Sequence, residues 1–149
     1  MLLNIFIGVC IICLTIIIQA YGTRYWLNHI LKNKPQKSLL GFDRNAVKLL
    51  ITTALFLLTL NFIEAIVWGF AYYILPGITE FQTLEKAIYF SLVTFTTLGY
   101  GEITISSSNR ILAGFEAMSG VLLLGWTTAM MFSVIQFIVK KTIQNNVIK

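Results

Sequence analysis

Apolar positions in this chain fall into long unbroken blocks, not into the one-sided patterns of soluble helices or the alternation of half-buried strands. Residues 2–20, 49–73 and 111–139 form three such blocks. Each meets the roughly 20 mostly apolar residues that a helix needs to cross a bilayer. A fourth block, 87–97, is too short to span. Thr83 is placed to cap a helix starting at Leu84, with Glu85 in its first turn, where negative charge suits the helix dipole. The β-branched and aromatic content of residues 89–97 also suits a strand. An unpaired strand at membrane depth would leave its backbone groups unsatisfied, so the pattern predicts a short re-entrant helix over 84–96.

The segments between the blocks carry their own signals. Residues 21–46 mix Tyr25, Trp26 and Phe42 with basic residues, as chains do at the bilayer interface. A short interfacial helix is expected there, ended by Pro35, with Asp43 or Asn45 as the cap of the next span. Pro76-Gly77 predicts the stop of the second span, and residues 78–83 a short turret. The predicted organisation is an N-terminal span (1–22), a basic loop (23–46), one membrane domain (47–139) and a short tail (140–149). Within the domain lie an outer helix (47–75), the re-entrant helix (84–96), a loop (97–101) and an inner helix (110–139). The first block lacks a basic leading segment and an Ala-x-Ala site, which favours a retained anchor over a cleaved signal peptide.

Composition agrees with the pattern. With 57% hydrophobic and 11% charged residues, the chain is too poor in polar surface for a soluble domain. Its net charge of +5 suggests nucleic-acid affinity only until the basic residues are located. Arg24, Lys32, Lys34, Lys37, Arg44 and Lys48 crowd the first connection, Lys140, Lys141 and Lys149 the end, and only Lys86 and Arg110 the stretch between. Basic segments stay on the cytoplasmic side, so the C-terminus is expected inside and the N-terminus and residues 97–101 outside, in a plasma or bacterial inner membrane. Anionic lipid headgroups, not nucleic acid, are the expected partner of the basic loop. Cys10 and Cys13 lie inside an apolar block without further ligands, which favours packing over redox or zinc chemistry. One His, no closely spaced acidic pair and no metal-ligating cluster argue against an enzyme. No span repeats Arg or Lys at every third position, so voltage sensing is not expected.

Chemistry concentrates in Thr96-Thr97-Leu98-Gly99-Tyr100-Gly101-Glu102. Gly99 and Gly101 admit left-handed backbone angles and put no side chain on the pore axis. Successive carbonyls, with the Thr97 hydroxyl at the inner end, can then replace the water of a bare cation, while Tyr100 points away and braces the loop. One chain gives one wall, so the mechanism requires a homotetramer.

Residues 89–102, Tyr-Phe-Ser-Leu-Val-Thr-Phe-Thr-Thr-Leu-Gly-Tyr-Gly-Glu, resemble the pore helix and filter of potassium channels. The similarity is greatest to small bacterial channels with two pore-forming helices around one pore loop, and it covers about residues 47–139. The resemblance implies an all-α membrane protein, a tetrameric potassium-channel pore domain preceded by one additional span. It also implies that Thr97, Leu98, Gly99, Tyr100 and Gly101 bind potassium, with no cofactor beyond the permeant ion. Thr96, Thr94, Val93 and Glu102 would support the filter. Gly120 falls at the family's hinge position and Gly125 at a second small one. Leu98 replaces the commoner Val, and Glu102 the usual Asp. Several relatives pair that Asp with an acidic residue on the pore helix; the corresponding position here is Val93, so that pairing is absent.

Two carboxyls, Glu64 and Glu116, lie within spans, where charge is costly. Either one or both bond polar groups behind the filter, such as Thr94 or Tyr89, or each is a protonated Glu making an ordinary interhelical bond. Val121, Leu124 and Thr128 follow Gly120 on one helical face and are expected at the inner cavity. Phe132 and Gln136 are candidates for a constriction, although Phe132 is equally suited to face lipid. Arg110 reads as an interfacial anchor. Against a potassium-selective channel stand two alternatives, a weakly selective cation channel and a non-conducting accessory subunit.

Overall fold

The computed structural model describes residues 2–32, 44–105 and 109–147. These form four helices, α1 (Leu2–Lys32), α2 (Arg44–Ile74), α3 (Leu84–Phe95) and α4 (Arg110–Val147), and no strand occurs among the described residues. Three of them, α1, α2 and α4 through Gln144, are long and apolar enough to cross a membrane.

The short helix starts where its cap predicts. Thr83 takes an extended conformation and its hydroxyl accepts from the Lys86 amide at 3.4 Å. The helix ends at Phe95, with Thr96 as its C-cap. Gly77 turns the chain after α2 with a φ of +93°, an angle that suits glycine.

Other boundaries differ. No separate interfacial helix follows the first span, because α1 continues through Tyr25 and Trp26 to Lys32. Tertiary packing carries it on. The Trp26 ring stacks on Phe56 of α2 at 4.5 Å, and its indole N–H donates to the Thr53 hydroxyl at 3.1 Å. Asn45 lies inside α2 and does not cap it, while Pro35 and Asp43 fall outside the described residues. The inner helix passes its predicted end at 139 to reach Val147, since residues 126–147 contain no Gly or Pro to stop it.

The helices share two cores. Around α3, Trp68 and Tyr72 of α2, Phe90 and Phe95 of α3, and Leu112 and Leu123 of α4 pack together. Towards the inner end, Ile30 of α1 meets Leu57 of α2 and Met130, Val134 and Ile138 of α4. The re-entrant helix is seated by close backbone approach. A Cβ on Gly69 of α2 would lie 2.8 Å from the Ile88 Cα of α3.

Helix α1 is fastened to the others by polar side chains at several depths. At the outer end Asn4 donates to the Asn109 side-chain oxygen at 2.8 Å, and Asn109 donates to the Gly77 carbonyl at 3.0 Å. Deeper, Gln19 donates to the Thr127 hydroxyl of α4, which donates to the Asn61 side chain of α2, each at 3.2 Å. The first span is thus packed on α2 and α4 of its own chain.

Candidate functional site

The loop after α3 is hung from the end of its helix. The Val93 carbonyl accepts from the Leu98 and Gly99 amides at 2.9 and 3.3 Å, and the Thr94 carbonyl from the Thr97 amide at 2.9 Å. The Thr96 hydroxyl turns back to the Leu92 carbonyl at 2.7 Å. Val93 and Thr94 therefore support the loop through their backbone carbonyls.

Left-handed backbone angles fall on every second residue: Thr97 at φ +59°, Gly99 at +52° and Gly101 at +89°. The glycines suit these angles; at Thr97 the angle is uncommon for a branched residue and is the feature that the sequence does not display. All residues from Thr96 to Glu102 are exposed in the single chain, Leu98 by 56% and Tyr100 by 66%. Tyr100 is thus not packed in among the described residues of its own chain.

Glu102, at the outer end, has a partner that the sequence reading missed. Tyr89, one helical turn before Val93 and on the same face of α3, donates its hydroxyl to Glu102 at 2.6 Å. This hydrogen bond raises the Tyr89 pKa above its ordinary value. Behind the loop lies a cavity of about 340 Å³ lined in part by Tyr89, Val93, Thr94, Gly99, Glu102 and Arg110.

The two buried carboxyls behave differently. Glu116 bonds neither Thr94 nor Tyr89. Its Oε2 accepts from the Tyr72 hydroxyl of α2 at 2.7 Å, and its Oε1 is bonded to the Ser91 hydroxyl of α3. Ser91 also contacts the Ala65 carbonyl of α2 at 2.6 Å. Ser91 and Tyr72 are absent from the sequence reading because only three-dimensional packing brings them to Glu116. Glu64 is fully buried, and neither of its oxygens has a hydrogen-bond partner among the described residues.

On α4, Gly120 is a contact residue. A Cβ there would lie 2.0 Å from the Phe95 carbonyl oxygen, so glycine lets the end of α3 rest on the inner helix. Helix α4 runs unbroken through Gly120 and Gly125, and nothing lies within 4 Å of a Cβ built at Gly125. Val121, Thr128, Phe132 and Gln136 share an exposed face of α4. Leu124 departs from them: it is half-buried and packs against the outer core, between α2 and the end of α3.

A protein-family model described as an ion channel matches residues 60–137, which is over half of the 149 residues. It takes in α3, the loop and most of α4, and leaves α1 outside. Comparisons with curated proteins and with solved structures returned no match. With three membrane-length helices and a family match that covers the second half of α2, all of α3 and most of α4, the chain belongs to this family of ion channels and is an integral membrane protein.

Proposed function

We propose that the chain is the subunit of a homotetrameric potassium-selective channel that conducts passively, with residues 97–101 as its filter. The observation that carries this reading is the run Thr97-Leu98-Gly99-Tyr100-Gly101 with left-handed angles at 97, 99 and 101. Such alternation allows neighbouring carbonyls to serve one axis and so to stand in for an ion's hydration shell. The exposure of the loop in the single chain supports assembly, and a ring of four loops is what surrounds one ion. Irregular backbone persists at membrane depth only when buried in protein or facing water, and further copies supply both conditions. In that assembly Val121, Thr128, Phe132 and Gln136 of each copy face the inner cavity, and Glu102 stands at the outer mouth. The basic residues of 23–46 support a cytoplasmic position for that connection and the C-terminus, against anionic headgroups of the cell membrane.

Purified protein in liposomes under opposed potassium and sodium gradients tests the proposal. The expected reversal potential lies at the potassium equilibrium value. A value between the two equilibrium potentials would mean a weakly selective cation channel, and no current a non-conducting subunit; either outcome rejects the proposal.

A further inference from the structure

The re-entrant helix touches its neighbours mostly through apolar side chains, with one polar exception on its buried face. Ser91 Oγ contacts the Ala65 carbonyl of α2 and Glu116 Oε1 of α4, and Glu116 Oε2 accepts from Tyr72 of α2. Ser91 and Glu116 are 0% exposed and Tyr72 1%. A single carboxyl therefore joins α2, α3 and α4 at a fully buried point.

Hydrogen-bond accounting fixes the state of that carboxyl. Tyr72 has one proton, which goes to Oε2. Ser91 also has one, yet it lies between two acceptors, the Ala65 carbonyl and Oε1. Both contacts are satisfied together only if Oε1 carries a proton and donates it to Ser91 Oγ, leaving the Ser91 proton for the Ala65 carbonyl. A neutral acid also avoids burying an unpaired charge among apolar helices.

The location gives this network a task. Ser91 lies two residues before Val93, whose carbonyl holds the amides of Leu98 and Gly99. Four residues beyond Ser91, Phe95 rests on Gly120, which lies four residues beyond Glu116. Two points one helical turn apart on α3 are thus seated on two points one turn apart on α4. The seat at Gly120 sets how closely the helices approach, and the seat at Glu116 sets the rotation of α3 about its own axis.

Resting on the filter reading above, we propose that Glu116, as a neutral carboxylic acid, is a positioning residue for the filter. By fixing Ser91 it sets the rotation and height of the helix from which residues 97–101 hang. Ions touch none of its atoms.

The test compares wild type, E116Q, E116A and S91A in liposomes, reading the potassium-to-sodium permeability ratio and the steadiness of the current. An amide at 116 can donate to Ser91 and accept from Tyr72, so E116Q should keep the wild-type ratio. E116A and S91A each leave buried hydroxyl or carbonyl groups unpartnered and should lower the ratio by about tenfold or make the current decay. If E116A does not fold, S91A carries this arm. Infrared spectra of wild type should show a protonated-carboxyl C=O band that E116Q loses. Overturning results are S91A and E116A with wild-type permeation, E116Q as damaging as E116A, or no such band. Wild type without potassium selectivity would overturn the filter reading and this inference together, whereas selective wild type with indifferent variants overturns this inference alone.

Discussion

Gly120 of the inner helix and the carbonyl of Phe95 at the end of the re-entrant helix occupy one contact, with only 2.0 Å between that oxygen and the place where a Cβ would stand. Neither side is a flexible side chain, so a methyl group at 120 must push backbone against backbone. G120A should therefore destabilise the folded protein by about 1–3 kcal/mol per subunit, as overpacking does. G125A is its control, since a Cβ at 125 meets nothing within the subunit and alanine favours a helix. Thermal unfolding in detergent checks both; equal melting temperatures for G120A and G125A would refute the account.

Backbone angle makes a second prediction at the loop. Gly99 has a φ of +52°, so G99A forces a side chain into the left-handed region at about 1–2 kcal/mol per residue. The three transmembrane-length helices are untouched. G99A should insert and assemble as wild type does, while losing potassium flux, measured side by side in liposomes.

The polar contact at the middle depth, Gln19 to Thr127 to Asn61, should contribute modestly to holding α1 in place. Interhelical hydrogen bonds in membranes average about 0.6 kcal/mol, because the separated helices also find partners. Q19L and T127V should each weaken folding by about that amount, and a double-mutant cycle should show coupling between them. Additive effects would mean that the two side chains act independently.

At the outer mouth, Y89F removes the only hydrogen bond described for Glu102 and should make the current less steady. The effect has a pH signature. Tyr89 has a raised pKa, so its hydroxyl stays protonated to higher pH than free tyrosine. The stabilisation is complete below the ordinary tyrosine pKa and is lost as pH rises through the raised value. Wild type should therefore approach the behaviour of Y89F only in strongly alkaline solution on the Glu102 side, and pH-independent differences would count against the bond.

Much of this architecture was legible in the chain itself. Uninterrupted apolar blocks marked the spans, and Thr83 with Glu85 marked the start of α3, because both signals act within a few residues. The ends of α1 and α4 were less legible. Trp26 extends α1 by stacking on Phe56, thirty residues away, and such a contact leaves no local trace. The same limit hid the partners of the carboxyls. Analogy led only to Val93, where no acidic partner for Glu102 stands, whereas Tyr89 is one turn earlier and reaches Glu102 with a longer side chain. Ser91 and Tyr72 meet Glu116 only because three helices converge.

Asn109 adds a consequence for how the spans are held together. Its one amide group receives Asn4 from the start of α1 and donates to Gly77 just beyond α2, while it sits itself at the start of α4. The outer ends of all three spans are thereby tied at a single knot, with the Glu116 network and the Gly120 contact a few turns below. At the opposite end α1, α2 and α4 meet through Ile30, Leu57, Met130, Val134 and Ile138, and the Trp26 indole N–H ties α1 to Thr53 of α2. Gly99 and Gly101 share a cavity with Arg110, the neighbour of that knot, so a change at Asn109 reaches α1, α2 and α4 together beside the loop 97–101.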